Sequence, residues 1–359
     1  MGRGKLIYIA VAILIILAGG ILYYYTAGVG KERVVVVHTW GGDLGESFRK
    51  NIVEPFEKKY GIKVIIIEGM AADAEARVRL GKEHPEIDVA CMCPSNAIKL
   101  WKEGLIEELK PEEIPELNNI YDFAKLTDEK GRIFFVGMYG YTTELIYRTD
   151  KIKKNITSWK DLWDPDFKGV VMLSAIPYNN AHGFVMIARA WGGSEYNVEP
   201  AFEKIKELAE MGNLAYVYRT DMEPFDLISS GEAWIGDVLS FTSAALIKAG
   251  VPVKRVIPEE GVPVGLDGLT LVKNAPHPEE AKLFINFVLA KEQNEKHANT
   301  IGCFPTNKYA EIYPEVAPFV PTREEIETKL LKFDEGYIAE HIGEWLERWE
   351  KEIAPLLGR

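Results

Sequence analysis

Short apolar runs alternate with segments of helical period over the first hundred residues that follow the N-terminus. Runs rich in β-branched residues occupy 34–37, 63–68 and 87–93, and residues 47–60 and 71–81 between them have apolar positions at helical spacing. This order of strand, helix and strand predicts right-handed crossovers and an open parallel sheet. Ligands of such sheets bind beyond the carboxyl ends of the strands. The loops after the first and third strands are therefore candidate binding loops.

The same alternation returns in the second part of the chain. Strand-like runs there are 133–139, 145–148, 170–173, 215–218, 233–236 and 268–272. Segments with a helical pattern are 158–163, 180–192, 199–212, 225–231, 240–250, 278–290, 293–300 and most of 322–357. These patterns predict a second α/β unit, from which the chain returns to the first unit near residues 261–268.

A run of twenty uncharged residues from Leu6 to Tyr25 precedes both units. As a helix rising about 1.5 Å per residue it would span the ~30 Å hydrocarbon core, and Arg3 and Lys5 before it favour a cytoplasmic N-terminus. We interpret residues 1–30 as a single-pass anchor that leaves the remaining chain on the outer face of the cell membrane. Two alternatives stay open: a signal peptide whose cleavage releases the domain, and a buried core helix.

Composition and charge exclude several classes of protein. Hydrophobic residues make up 47% and charged residues 27% of the 359 residues, which is typical of a folded globular protein. The formal net charge of −12 argues against a nucleic-acid partner. Three cysteines cannot form a disulfide-dense scaffold; Cys91 and Cys93 fall in a predicted buried strand, where reduced thiols are favoured over a disulfide.

The sequence contains none of the common catalytic signatures. It has no Gly-rich phosphate loop, no Gly-x-Ser-x-Gly elbow and no His-Glu-x-x-His helix, and its six histidines show no metal-ligand spacing. We therefore expect a protein that is not an enzyme and that carries neither a cofactor nor a metal.

Four segments in the same order carry a resemblance to a known family. Residues 158–169 read SWKDLWDPDFKG, and residues 231–233 read GEA. Residues 278–289 read PEEAKLFINFVL, and residues 301–307 read IGCFPTN. Together they resemble the extracellular solute-binding proteins of ABC importers, and most of all the spermidine/putrescine-binding branch with its iron- and thiamine-binding relatives. The first segment is the most specific, because its tryptophans and its other conspicuous residues all agree with the family pattern.

The resemblance implies a two-lobed α/β fold of the type II periplasmic-binding-protein class, preceded here by one transmembrane helix. Residues 31–140 and 264–310 would form the first lobe and 141–263 the second, with 311–359 as a C-terminal helical segment. Two crossover strands would join the lobes, which would close like a hinge on a small-molecule ligand. Such proteins are expected to be monomers without enzymatic activity, and their partner is a membrane permease driven by a cytoplasmic ATPase.

In the first lobe, the resemblance places a ligand against two loops. The loop of Thr39, Trp40, Gly41 and Gly42 offers an indole for stacking and glycines that allow close approach; a tight turn with a buried tryptophan is the alternative. Ser95 and Asn96 offer polar groups to a ligand, or cap the helix that follows them.

At the crossovers and in the second lobe, the resemblance adds further candidate binding residues. Asp267 matches an acidic position that receives a ligand amine in the polyamine branch, although a hydrogen-bonded turn aspartate would look the same. Tyr141 lies near the first crossover. The remaining candidates follow predicted strands of the second lobe, and they are Tyr178, Asn179, Leu239 and Ser240.

Departures from the polyamine pattern leave the ligand open among a polyamine-like amine, a thiamine-like molecule, iron and other small ligands. The loop after residues 170–173 lacks the acids of that branch, and Leu239 and Gly265 stand where its two ligand-sandwiching tryptophans would be. No adjacent tyrosine pair suited to iron follows residues 231–237. An anchored sensory ectodomain on the same fold and an extracellular hydrolase are the alternative functions.

Overall fold

The computed structural model describes residues 33–357. Its strands, numbered in chain order from β1 to β12, are Val34–Thr39, Lys63–Glu68, Val89–Met92, Lys125–Thr127, Ile133–Arg148, Val171–Ser174, Leu214–Tyr218, Ile235–Leu239, Val253–Val256, Val262–Leu271, Phe304–Pro305 and Leu330–Leu331. The predicted membrane anchor, 1–30, lies outside the described residues. Within residues 33–357, no helix is both long enough and apolar enough to span a bilayer.

Helices alternate with these strands along most of the chain. Numbered α1 to α12, they are Gly42–Phe48, Glu54–Tyr60, Ala71–Leu80, Pro94–Lys102, His182–Ala190, Glu199–Glu210, Met222–Ser230, Ser240–Lys248, Pro278–Leu289, Lys291–Thr300, Arg323–Thr328 and Glu335–Glu352. A π-helical turn, Arg49–Val53, joins α1 to α2. Short 3-10 turns include Trp159–Trp163 and Tyr178–Ala181.

The sheet is mixed and not parallel throughout. Its main strand order is β2-β1-β3-β10-β5-β8-β6-β7. The pairs β1–β2, β1–β3, β6–β7 and β6–β8 are parallel, as the crossovers predict, whereas β10 runs antiparallel to both β3 and β5. The parallel sheet predicted for the first unit is therefore confirmed for β1, β2 and β3, whereas the centre of the whole sheet is antiparallel because the returning strand β10 enters the first unit in the opposite direction.

Two long buried strands connect the halves of the molecule. β5 is a single strand of 16 residues, where the sequence pattern predicts two, and β10 has 10 residues that are all buried. They pair with each other from Val264↔Thr142 to Leu269↔Val136. The amino-terminal half of β5 also pairs with β4, and its carboxyl-terminal half pairs with β8 and β9. One continuous strand therefore belongs to both units.

Separate hydrophobic cores lie on either side of these crossing strands. The first core collects apolar residues from β1 to Tyr141 and again from Val264 to Ile326. The second core contains residues from Leu145 to Val256, and it also includes Trp345 and Trp349 of α12. We refer to these bodies as the first and second lobes. The C-terminal segment does not stand apart as a unit: Val316, Val320 and Ile326 of this segment pack in the first lobe, and α12 packs in the second.

A buried ion pair fixes the point at which β5 enters the second lobe. Glu144 of β5 is fully buried, and Arg255 of β9 donates to both of its carboxylate oxygens, at 2.9 and 2.6 Å. Thr142 donates its hydroxyl to the same carboxylate, and Arg255 also donates to the carbonyl of Val320. Bidentate contacts of this kind satisfy charges that would otherwise be costly to bury.

Removal of one charge from this pair should therefore destabilise the protein strongly. We expect Glu144→Gln to lower the free energy of unfolding by about 3 kcal/mol or more, because Arg255 is left buried without a counter-charge. Urea denaturation followed by circular dichroism measures the loss. Glu279→Gln is the matched control, since Glu279 is exposed and pairs with Lys282 on the surface; it should cost less than about 1 kcal/mol. Equal losses in the two variants would contradict a structural role for the buried pair.

Candidate ligand-binding cleft

A cavity of about 990 Å³ opens between the two lobes, beside the crossing strands. Its walls come from the loops after β1 and β2, from the middle of β5 and β10, and from the loops after β6 and β7. Most of these positions lie at the carboxyl ends of parallel strands, where α/β sheets bind their ligands.

The first-lobe wall is built around Trp40, which directly follows β1. Trp40 and Gly41 line the cavity together with Leu44, Glu68 and Met70. A side chain added at Gly41 would begin 3.3 Å from the Glu68 carboxylate, so the glycine allows the two loops to approach each other. This wall presents an indole, a carboxylate and an exposed thioether to the cleft.

Asp267 lies at the centre of the cleft, on β10 and directly opposite Tyr139 of β5. The Tyr139 hydroxyl donates to one carboxylate oxygen at 2.7 Å, and the Cys93 thiol lies 3.5 Å from the other. Burial raises the pKa of Asp267 to about 6, and no basic side chain of residues 33–357 opposes this rise. At neutral pH the cleft therefore holds a buried carboxylate that has hydrogen-bond donors but no counter-cation from the described chain.

The second-lobe wall contributes a second acid. Tyr178, in the loop after β6, donates its hydroxyl to Asp221, which directly precedes α7. Both residues line the cleft, and Arg219 also lies in the cavity wall. The loop after β6 contains no acidic residue, and Asp221 in the loop after β7 supplies one instead.

Aromatic rings cover the floor of the cleft between the acids. Tyr141 contacts Phe241 edge to face, with ring centroids 5.7 Å apart, and both line the cavity. Gly265 pairs with Tyr141 across β10 and β5, and a Cβ atom at Gly265 would lie 2.1 Å from the tyrosine ring. The Tyr141 ring thus covers the position at which the polyamine pattern places a tryptophan, and Gly265 is required for that packing.

The structure brings seven of the predicted binding residues together in the cavity wall. They are Trp40, Gly41, Tyr141, Tyr178, Asn179, Leu239 and Asp267. Asn179 accepts a hydrogen bond from the Tyr141 hydroxyl at 3.5 Å and donates to Thr143 at 2.7 Å.

Two predicted residues of the first loop lie outside the cavity wall. Thr39 is the last residue of β1, where it pairs with Glu68 of β2 and is buried. Gly42 begins α1 with a φ of +63°, a left-handed conformation that favours glycine. Thr39 therefore belongs to the sheet and Gly42 to the start of the helix.

Three further predicted residues also lie outside the cavity wall. Ser95 and Asn96 lie in the first turn of α4, which begins at Pro94, and so they do not form a loop before the helix. The Asn96 amide donates a hydrogen bond to Glu75. Ser240 begins α8, and its buried hydroxyl accepts a hydrogen bond from the Thr142 backbone N–H at 3.2 Å. The Asn96 and Ser240 side chains therefore have hydrogen-bond partners within the fold.

Several cavity residues were not predicted from the sequence. Those that carry polar or aromatic chemistry are Glu68, Asp73, Cys93, Arg219, Asp221, Phe241 and Cys303. Asp221 and Glu68 each stand at or just beyond the end of a strand, the rule that selected the other loops, and could have been found by applying it to every strand. Cys93 and Cys303 are free thiols, as is Cys91.

The charge of the cleft is acidic. Four carboxylates line it, those of Glu68, Asp73, Asp221 and Asp267. Arg219 is the one basic residue among the described lining residues, and Arg49 lies 3.7 Å from the Glu68 carboxylate. Aromatic faces and buried carboxylates together attract cations. Within residues 33–357, no cluster of three or more histidine, cysteine and acidic side chains could hold a metal ion.

Comparison with known proteins identifies the class that this fold and cleft define. A sequence profile of the bacterial extracellular solute-binding proteins matches residues 51–319. The chain belongs to this family.

Individual relatives agree with that assignment. The spermidine/putrescine-binding periplasmic protein of Salmonella typhimurium is 28% identical over 277 residues, which cover 74% of this chain and 77% of that protein. An uncharacterised protein of Haemophilus influenzae is 30% identical over 355 residues, which cover 94% of this chain and 95% of that protein. The crystal structure of an ABC transporter protein from Clostridium perfringens superposes with a TM-score of 0.78 at 24% identity, covering 89% of this chain and 99% of that one.

The raised pKa of Asp267 predicts how a charge-removing substitution affects stability. The native pKa of about 6 exceeds the ordinary 3.8, so the protonated carboxyl stabilises the fold below pH 4 and this contribution is lost as the pH rises through 6. Asp267→Asn should therefore gain about 1.4 kcal/mol of stability relative to the wild type between pH 5 and pH 8, because part of the wild-type contribution is already lost below pH 5. Urea unfolding of the ligand-free protein at both pH values measures the difference.

Asp226→Asn provides the control for that experiment, because Asp226 is exposed on α7. It should differ from the wild type by less than about 0.5 kcal/mol at either pH. A difference between Asp267→Asn and the wild type that does not change from pH 5 to pH 8 would show that Asp267 is not held as a buried carboxylate.

Proposed function

We propose that this protein is the receptor of an ABC importer that captures a small cation with two or more amine groups, of the polyamine kind. The chain is a solute-binding protein by family, and such proteins deliver ligand to a permease with a cytoplasmic ATPase. The main support for a cationic ligand is Asp267, a buried carboxylate without a basic partner among the described residues. The proposed role is binding without catalysis.

Two features of the cleft favour an extended diamine over a single ammonium ion. Asp267 lies on the crossing strand and Asp221 on the second-lobe wall, so the cavity offers carboxylates at separate positions. The rings of Trp40 and Tyr141 lie in the same cavity wall, where they can pack on methylene groups and stabilise ammonium charge. The polyamine named for the Salmonella typhimurium relative has this chemistry.

Binding would draw the lobes together. Trp40 belongs to the first lobe and Tyr178 to the second, so a ligand that contacts both is held best when the cleft is shut. The ligand then shifts the population towards the closed form by the difference between its affinities for the two states. The crossing strands β5 and β10 are the segments that must bend.

Neutralising the cleft acids tests the ligand class. Spermidine and putrescine should bind the wild type, and Asp267→Asn should weaken binding by about 1.5–3 kcal/mol, the loss of one charge-assisted hydrogen bond. Asp221→Asn should weaken it less, since Asp221 is exposed. Isothermal titration calorimetry at pH 8 measures both effects.

Asp237→Asn is the matched control for the titrations. Asp237 is also buried with a pKa raised to about 6, but it binds Ser174 and does not line the cleft. Its variant should bind spermidine with unchanged affinity. Preferential binding of a dicarboxylate such as glutarate, or wild-type affinity in Asp267→Asn, would contradict the proposal.

We also propose that residues 1–30 anchor this receptor to the outer face of the cell membrane as a monomer. The support is the uncharged run from Leu6 to Tyr25. The full chain should fractionate with membranes and resist extraction by salt or alkali, whereas the chain without residues 1–30 should be soluble and still bind ligand. A mature protein that is released and begins near residue 27 would instead show a cleaved signal peptide.

A further inference from the structure

The cleft loop that carries Asn179 has an unusual backbone. Asn179, Asn180 and Ala181 follow one another with φ values of 46°, 51° and 60°, and none of them is glycine. The left-handed conformation costs an L-residue roughly 1–2 kcal/mol, somewhat less for asparagine. Three such residues in succession persist only where the surrounding structure holds them.

Glu335, the first residue of α12, holds this segment. The Asn180 amide donates to one carboxylate oxygen of Glu335, and His182 Nε2 lies 2.8 Å from the other. His182 is 2% exposed and Glu335 is 9% exposed, so both contacts are shielded from water. One carboxylate thus binds residues on both sides of Ala181.

The same contacts continue to the cleft. The Asn179 amide donates to Thr143 at 2.7 Å and lies 3.3 Å from His182 Nδ1. With Nδ1 as the acceptor, His182 carries its proton on Nε2 and donates it to Glu335. The carbonyl oxygen of Asn179 accepts from Tyr141, whose ring lies on the cleft floor. A continuous chain of hydrogen bonds therefore runs from Glu335 through His182 and Asn179 to the cleft.

Glu335 itself sits on a firmly packed element. Ile338, Trp345 and Trp349 of α12 are buried in the second-lobe core. The ring of Phe333 packs edge-on against His182, with centroids 5.5 Å apart. The carboxylate is thus fixed by a helix that lies outside residues 51–319, the part of the chain that the family profile matches.

We propose that Glu335 is a positioning residue of the binding cleft: the C-terminal helix, through this one carboxylate, sets the conformation of the loop that presents Tyr178 and Asn179 to the ligand. This assignment deepens the proposed function and rests on it for the ligand. Glu335 touches no ligand itself and acts through Asn180 and His182.

Hydrogen–deuterium exchange of the ligand-free protein tests the positioning directly. Glu335→Ala should speed amide exchange in residues 176–184 about tenfold or more, because the strained segment loses its acceptor. Ile338→Val is the control for general destabilisation of α12, and it should leave that segment unchanged. Unchanged exchange of residues 176–184 in Glu335→Ala would overturn the proposal.

Exchanging the hydrogen-bond donor and acceptor between Asn180 and Glu335 distinguishes a positioning role from a general effect on packing. Asn180→Asp places a second carboxylate against Glu335 and should weaken spermidine binding about tenfold. The double variant Asn180→Asp/Glu335→Gln restores the bond with its direction reversed, and the glutamine oxygen still accepts from His182. Its affinity should return to within about threefold of the wild type. A double variant no better than Asn180→Asp would overturn the assignment.

The exchange measurement and the binding measurement together distinguish a failure of this inference from a failure of the proposed function. If the wild type binds no spermidine, the proposed ligand is wrong, and the exchange rates, which need no ligand, still decide whether Glu335 holds the loop. If spermidine binds and Glu335→Ala binds it as tightly as the wild type does, the positioning role is wrong while the receptor function stands.

Discussion

The cleft depends on a carboxylate held between two crossing strands without a counter-cation from the described chain. Asp267 is kept in place by Tyr139 and by the thiol of Cys93, and burial raises its pKa. In the proposed function, a cation that enters the cleft would recover the free energy of that unmatched charge. On this proposal, the stability that the empty protein loses through burial of Asp267 would favour a positively charged ligand.

The crossing strands make this arrangement possible because they belong to both lobes at once. On β5, Tyr139 donates to Asp267 from the first-lobe side, and Glu144 binds Arg255 where the strand enters the second lobe. Tyr141 lies between these two residues, covers Gly265 and contacts Asn179. The floor of the cleft is therefore built from one strand whose two ends are fixed in different cores.

The alternation of strands and helices in two α/β units could be predicted from the sequence, because apolar periodicity reports which face is buried. The two-lobe arrangement came from the family resemblance, which also supported the candidate loop at Trp40 after the first strand. Other features could not be predicted in that way. The polar run from Thr142 to Glu144 makes β5 look like two strands, since its partner Arg255 is distant in the sequence. Ser95 looks like a loop residue until α4 is seen to begin at Pro94. Glu335 reaches the cleft loop only through tertiary packing.

Proton release on binding tests the central claim most directly. At pH 6 about half of the Asp267 carboxyls are protonated, whereas ligand amines, like lysine, stay fully charged. Spermidine binding measured by calorimetry at pH 6, in two buffers of different ionisation enthalpy, should release about half a proton per ligand, and Asp267→Asn should release none. Binding with the same observed enthalpy in both buffers would show that the ligand does not meet the buried carboxylate.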